Sequence, residues 1–520
     1  MRGRIASLCV GLVLLAVPAA AQRTLTIGVG GAFSSMDPHY FNLGPNNVLT
    51  NYVFEPLARF DAKFQPEPSL AESWKSIDPT TWEFKLRPGV TFTDGTPFTA
   101  GDVVFTFGRI PTVLNSPSSF NFAVKPITQI EVVDDHTIRL HTAQPWPLLP
   151  FNMCTVRIVS RKHGEGATTA DYNSGKAAIG TGPYRVTEFM VGDHAVFQRN
   201  DGWWDKHPVW DTVRYRLIAD NGARNAALQA GDVDVIDQVP THDVADLRKN
   251  PKVEVMSAPG QRLIYLFADS GREQTPFVTD VAGNKLATNP LRDARVRHAL
   301  SLAINRSGIR DHIMDGLSAP TGQLMPEGAS GYDPAIKVDP YDPAAARALL
   351  REAGYPNGFA VTLHGPNDRY VNDRAIVEAI AQMWTRIGIK TAVETMPAAT
   401  FFPRSTRAEF SIRLTGWASD TGEASSPLIE LLASSNPEKG RGAVLDPSHY
   451  GNPAVDAIVE QSLTTLDTTA REALYRQAEE VAMAQTAIIP IHHQVNIWAV
   501  RKGLVFHMRM QEGTRAWDIE

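Results

Sequence analysis

FAVTLHGPNDRYVNDRAIVEAIAQMWTRIGIKTAVETM, residues 359–396, decides the fold class. FAVTLHGP reads as a strand. A helix opens near Asp373, and Ile376, Ala379, Ile380, Met383, Trp384 and Ile387 recur at helical spacing to form one apolar stripe. IKTAVETM then reads as a second strand. A strand–helix–strand unit implies a right-handed crossover onto a parallel or mixed sheet, so the chain is read as α/β. Arg369 falls in the loop between the first strand and the helix, where ligands meet the sheet in such units. An ordinary surface arginine is the competing reading there.

Working outward, the flanks of this unit are helix-rich from about Leu286 to Gln485. DARVRHALSLAINRSGI reads as one helix capped by Asp293, with Val296, Ala299, Leu300, Ala303 and Ile304 as its stripe. DPAAARALLREAGYP starts with Asp342 at the cap and Pro343 at the first helical position, and closes at Gly354. Two more helices are expected around Val455–Leu466 and Thr469–Gln485. The first part of the chain reads differently. TLTIGVG alternates with Leu25, Ile27 and Val29 on one face, and TWEFKL alternates through Trp82, Phe84 and Leu86. Turns follow at Pro88-Gly89 and Asp94-Gly95, then a capping box, Thr99 to Asp102, opens a helix carrying Val103, Val104 and Phe107. EVVDDHTIRLHT is a hairpin, DTVRYRLI a strand, and NGARNAALQAGDVDVI a helix ending at Gly231 before another strand. AIIPIHHQVNIWAV returns to strand texture. Strand-rich, helix-rich and strand-rich again predicts two lobes with at least two crossings and a cleft between them.

MRGRIASLCVGLVLLAVPAAAQ has Arg2 and Arg4, an apolar run from about Ile5 to Val17, then Ala19-Ala20-Ala21. That order is a cleaved export signal, with cleavage expected after Ala21. The run is too short to span a bilayer, which needs about 20 residues. Cys9 follows bulky Leu8 and sits mid-run, which argues against lipid attachment. The full chain carries a formal net charge of −6, and the leader contributes two of its positive charges. An acidic exported protein offers nucleic acid no basic patch, and no basic amphipathic segment suits anionic lipid. Only Cys154 remains after the leader, so no intramolecular disulfide can form. Its neighbours Phe151, Met153 and Val156 suggest a buried structural thiol.

Motifs for catalysis are missing. No G-x-S-x-G, Walker loop or H-E-x-x-H occurs. GTGPY, Gly180 to Tyr184, reads as a tight turn before a strand, or as backbone facing a ligand. His492 and His493 lie in a strand, where successive side chains point to opposite faces, so the two cannot share one ion. GWASDTGEASS, residues 416–426, places Trp417 before Asp420 and Glu423. In a cleft, the indole would offer a flat apolar face and a partly desolvated carboxylate would hold an ammonium. A turn cap on a core indole is the alternative for Asp420, and Glu423 reads as a turn or rim residue.

Several stretches in this order resemble one family. They are MDPH (36–39), LAESW (70–74), WEFKLRPGVTFTDGTPFTAGDVVFTF (82–107), GTGPY (180–184) and RNDGWW (199–204). AGDVDVI (230–236), VRHALSLAINRSGI (296–309), LLREAGYPNGF (349–359) and GWASD (416–420) continue the series. The chain resembles the peptide/nickel-binding (family 5) extracytoplasmic solute-binding proteins of ABC importers. The resemblance implies a two-lobed periplasmic-binding-protein fold with an extra subdomain in lobe I and two hinge crossings. Lobe I would span 22–265 and 495–520, with the insert near 59–177, and lobe II would span 266–494. In peptide-binding members the aspartate of the GW-x-x-D stretch anchors the ligand ammonium, a position held here by Asp420, with Gly416 and Trp417 before it. Ala32, Phe33, Ser34, Thr181, Gly182 and Tyr265 correspond to cleft-lining regions. An arginine near the position of Arg369 serves the ligand carboxylate in dipeptide binders.

The resemblance further implies a monomeric periplasmic binder rather than an enzyme. It would need no cofactor or metal of its own, and would deliver a small peptide or amine-bearing solute to permease subunits in the inner membrane. Family members also bind nickel complexes, haem, opines, glutathione and oligosaccharides. The turn after Asp420 lacks the usual proline, and a secreted hydrolase is the remaining alternative class.

Overall fold

The computed structural model describes residues 22–62, 64–419, 421–436 and 451–520. The expected leader, Cys9 within it and Asp420 lie outside the described residues. Among them, twelve strands form one mixed sheet. Its centre is a pair of long antiparallel strands, Val253–Ala268 and Ile489–Arg501. On one flank lie Ile412–Trp417 and Ala360–Pro366, then Lys390–Met396 and Val278–Thr279, each pairing with Ala360–Pro366. On the other lie Val235–Ile236, Thr24–Val29, Thr212–Leu217, His194–Arg199 and Tyr184–Met190, and the twelfth strand, Ser318–Pro320, pairs with Ile489–Arg501.

The crossover unit forms as its periodicity predicts. Strands Ala360–Pro366 and Lys390–Met396 pair in parallel, joined by helix Asp373–Arg386. Ile376, Val377, Ile380 and Trp384 of that helix are buried, each contributing about 1.5–3 kcal/mol over an exposed position. The Trp384 indole N–H also satisfies the Leu300 carbonyl at 3.0 Å.

Each central strand runs from one hydrophobic core to another. Val253 and Ile497 belong to a cluster with Val233, Val239 and Leu247, whereas Leu266, Ile489 and Ile491 pack with Val296, Leu363 and Trp384. Pairing between the two strands slips between Pro259 and Leu263. Such a bulge re-aims side chains and bends the strand where the two bodies join. A separate core lies under the four-stranded sheet of Ala71–Asp78, Thr81–Leu86, Thr137–Thr142 and Ile127–Asp134, with Phe84, Leu86, Val103 and Phe107 inside it.

Local signals in the early chain are realised. Thr99 and Asp102 make a capping box on Ala100–Arg109. Val103 and Phe107 face the core while Val104 is exposed. The MDPH stretch is a buried fastening: Asp37 accepts two bonds from Arg109 at 2.9 and 2.7 Å and one from Thr169 at 2.8 Å. Burial alone would raise the Asp37 pKa, and the Arg109 guanidinium outweighs it and holds the carboxyl below its ordinary value. RNDGWW does the same elsewhere, since both indole N–H groups of Trp203 and Trp204 donate to the carboxylate of Glu55. Burial pushes that carboxyl up to about 7.

One helix assignment needs correction. The stretch 293–309 is two helices, Ala294–Leu302 and Arg306–His312. Asn305 accepts from the Gly308 amide at 2.8 Å and caps the second, an alternative to continuing the first ladder. Ala303 and Ile304 remain fully buried, outside either helix.

Candidate functional site

The loop after strand Ala360–Pro366 is held by the start of the following helix. Asp373 accepts from the amides of Arg369 and Tyr370, both at 3.0 Å. Asn372 adopts a left-handed conformation and donates to Thr241 Oγ1 and the Ile313 carbonyl, both at 2.7 Å. Arg369 and Tyr370 are thereby presented at the end of the strand, beside strand Ile412–Trp417. The Gly416 amide donates to the Tyr370 hydroxyl at 2.9 Å. A Cβ on Gly416 would lie 2.8 Å from the Tyr370 ring, so the absent side chain lets the ring lie flat on the strand. Trp417 is half-buried, and its indole N–H donates to Ser426 at 3.2 Å.

Two guanidinium groups converge on Tyr370, with Arg369 at 5.2 Å and Arg262 at 5.8 Å from the ring centroid. Arg262 comes from the slipped part of the central strand, next to Leu263, which pairs with Trp417. It forms a two-pronged bond to Glu512, Nε to Oε1 at 2.5 Å and Nη2 to Oε2 at 2.7 Å. Arg369 makes no ion pair among the described residues. Burial and then the Arg262 charge lower its pKa, opposed by Tyr370, Glu512 and Asp373. A half-buried guanidinium can pair with an anion through short charge-assisted hydrogen bonds.

Beyond this cluster Glu423 ties together Ser419, Thr421 and Ser425. Its carboxylate accepts from Thr421 Oγ1 at 2.9 Å, from the Ser425 amide at 3.2 Å and from the Ser425 hydroxyl. Ser419 donates to the Glu423 carbonyl at 2.9 Å. Glu423 is therefore a buried organiser of Thr421 and Ser425. An opening of about 360 Å³ adjoins it, lined by Gln65, Phe151, Ser330, Tyr332, Glu423 and Arg471 among others.

The structure brings Arg369 and Gly416 together around Tyr370, whereas Trp417 packs against the cluster of Leu263, Tyr265 and Leu428, with Tyr265 opposite Thr415 on the neighbouring strand. It does not place the other expected residues in this cluster. Phe33 is core, 1% exposed, against Phe189 and Tyr215. Ser34 is tied to Asn46 by two hydrogen bonds. Thr181 is fully buried, and the Gly182 amide donates to the Val53 carbonyl at 2.9 Å, so GTGPY is packed as a tight turn. His492 and His493 are both buried, and burial first holds their pKa values down to about 3 and 4. Among the described residues no cluster of three metal-ligating side chains occurs. Sequence reading missed Arg262, Tyr370 and Glu512. Tyr370 had a local signal, being next to Arg369 in the same loop. Glu512 had none, since it lies 250 residues from Arg262.

The model for bacterial extracellular solute-binding proteins, family 5 Middle, matches residues 65–439. The chain belongs to this family. The family 5 fold is two-lobed, and the solved structures similar to this chain share it. The periplasmic binding protein DppA of Helicobacter pylori, in complex with the peptide STSA, superposes with a TM-score of 0.80 at 23% identity, covering 95% of this chain and 97% of that one. AgaA of A. tumefacien R10, in complex with agropinic acid, superposes at 0.76 with 24% identity, covering 96% and 98%. Among curated relatives, the glutathione-binding protein GsiB of Shigella flexneri serotype 5b is 29% identical over 504 residues, covering 94% of this chain and 93% of its own. No helix among the described residues is long and apolar enough to cross a membrane.

Proposed function

We propose that this family 5 protein is the periplasmic capture component of an ABC importer. Its ligand is a short peptide or peptide-like solute, glutathione included. The observation that carries this reading is Arg369, a half-buried guanidinium with no ion pair among the described residues, set on the Tyr370 ring that Gly416 also touches. It would receive the ligand carboxylate. Asp420, three residues after Trp417, would receive the ammonium, and Trp417 would pack on the first side chain. Among the solutes this fold accommodates, glutathione gains weight from a relative of nearly the same length that is named for binding it.

The lobes would be 22–265 with 495–520, and 266–494, moving about the slipped central strands. Ligand shifts the population toward the closed form by its differential affinity for the two states, and the closed form docks on the permease as a monomer. No catalytic step is part of this reading. Cys154 is buried with its thiol pushed well above the ordinary range, and His492 and His493 sit in the core.

The test is mass spectrometry of ligand released from protein purified from a periplasm, followed by calorimetry with glutathione and with dipeptides. Asp420→Ala should abolish binding of amine-bearing ligands with little change in melting temperature. Intact binding in that variant would refute the anchor, and release of a solute with neither ammonium nor carboxylate would refute the ligand class.

A further inference from the structure

The Arg262–Glu512 pair joins two distant parts of the chain beside the proposed ligand seat. Arg262 stands in the irregular stretch of the central strand, and Glu512 belongs to the C-terminal segment. The Arg262 side chain is 9% exposed and that of Glu512 29%, so the pair is poorly screened by water. Tyr370 places Arg262 and Arg369 around one ring. Burial would raise the Glu512 pKa, but Arg262 and then Arg369 hold the carboxyl below its ordinary value. Glu512 is thus within the field of both arginines while hydrogen-bonded to only one. Its charge also adds to the burial that pushes Asp237 up to about 6. The Asp237 carboxylate accepts from the Gly30 amide at 2.9 Å, in the other half of the sheet.

We propose that Glu512 sets the anionic selectivity of the cleft: by occupying Arg262 it leaves Arg369 to receive a single carboxylate at the ligand's C-terminal end. This rests on the reading of Arg369 as the carboxylate seat. A ligand with two carboxylates at that end would meet one available guanidinium and the Glu512 charge. Such a ligand is disfavoured by like-charge repulsion in a partly desolvated site. Glu512 acts through Arg262 and is a positioning residue for the ligand rather than a ligand contact.

The test uses two ligand pairs that differ by one C-terminal carboxylate: alanyl-alanine against alanyl-aspartate, and glutathione against γ-glutamyl-cysteinyl-aspartate. Calorimetry on wild type, Glu512→Gln and the double variant Arg262→Gln/Glu512→Gln gives the affinity ratio within each pair. Glu512→Gln should shift the ratio toward the extra-carboxylate ligand by about tenfold or more. The double variant removes both charges and should return it to the wild-type value. A merely structural pair would lower both affinities together and leave the double variant as impaired as the single one. An unchanged ratio in Glu512→Gln, or a shift that persists in the double variant, overturns the proposal. If wild type binds no member of either pair, the reading of Arg369 itself falls, and this inference with it.

Discussion

The Gly416 amide donates to the Tyr370 hydroxyl at 2.9 Å, and a Cβ on Gly416 would sit 2.8 Å from the Tyr370 ring and 3.0 Å from Ile264. Strand and ring cannot both keep their places if a methyl is added. Gly416→Ala should cost about 1–3 kcal/mol of stability through overpacking. It should also displace the ring that Arg262 and Arg369 flank, so affinity should fall as well. Melting temperature and calorimetry on the same preparation check this. Unchanged affinity would mean that Tyr370 does not organise the seat.

Arg369 separates binding from stability in the opposite way. Its side chain has no ion pair among the described residues to lose, and its burial is already unfavourable. Arg369→Gln should leave the melting temperature unchanged or slightly raised. Binding of carboxylate ligands should weaken about 100-fold, in the range for truncating one partner of a close charge pair. Amidated peptides should lose little. Equal losses for acid and amide would remove Arg369 from the carboxylate role.

Gly180 tests the turn at GTGPY. A Cβ there would lie 1.9 Å from the Val53 carbonyl oxygen, and backbone cannot yield as a flexible side chain can. Gly180→Ala should destabilise by several kcal/mol, measured by urea unfolding, while residual folded protein keeps wild-type ligand selectivity. A variant of normal stability would show that this loop can move freely.

Glu479 predicts a pH dependence. It is fully buried, accepts from the Leu324 amide at 2.5 Å, and burial pushes its carboxyl up to about 8. The folded state therefore keeps a proton that the unfolded chain releases near its ordinary value of 4.5. This contribution to stability is present below pH 4.5 and declines as pH rises toward 8, by up to about 1.4 kcal/mol per pH unit. Glu479→Gln should flatten the loss between pH 5 and pH 8, with the residual slope set by Glu55 and Asp237 and opposed at its acid end by His492 and His493. Identical slopes in wild type and variant would refute the assignment.

Much of the fold was legible because its signals are local. The stripe on Asp373–Arg386, the Asp342 and Asp293 caps and the Thr99–Asp102 box depend on contacts within one or two turns. The 293–309 stretch misled for the same reason. Its apolar residues keep helical spacing and stay buried, yet Asn305 offers a competing local cap. At the site, Trp417 and Gly416 could be named from the GWASD stretch and Arg369 from its loop. Thr181, which the family pattern puts near the cleft, proved fully buried, because spacing alone does not tell a ligand-facing turn from one pressed on Val53.

By itself the sequence determined an α/β chain with two strand-rich regions around a helix-rich one, and the loops able to carry a ligand. Hydrogen-bond periodicity and capping are short-range, so they can be read along the chain. Only the tertiary structure decided which charges meet. Arg262 lies where the central strand slips register and reaches the Tyr370 ring, and the C-terminal segment brings Glu512 to it across 250 residues. Coulombic neighbours are set by sheet register and burial, and no local pattern encodes them.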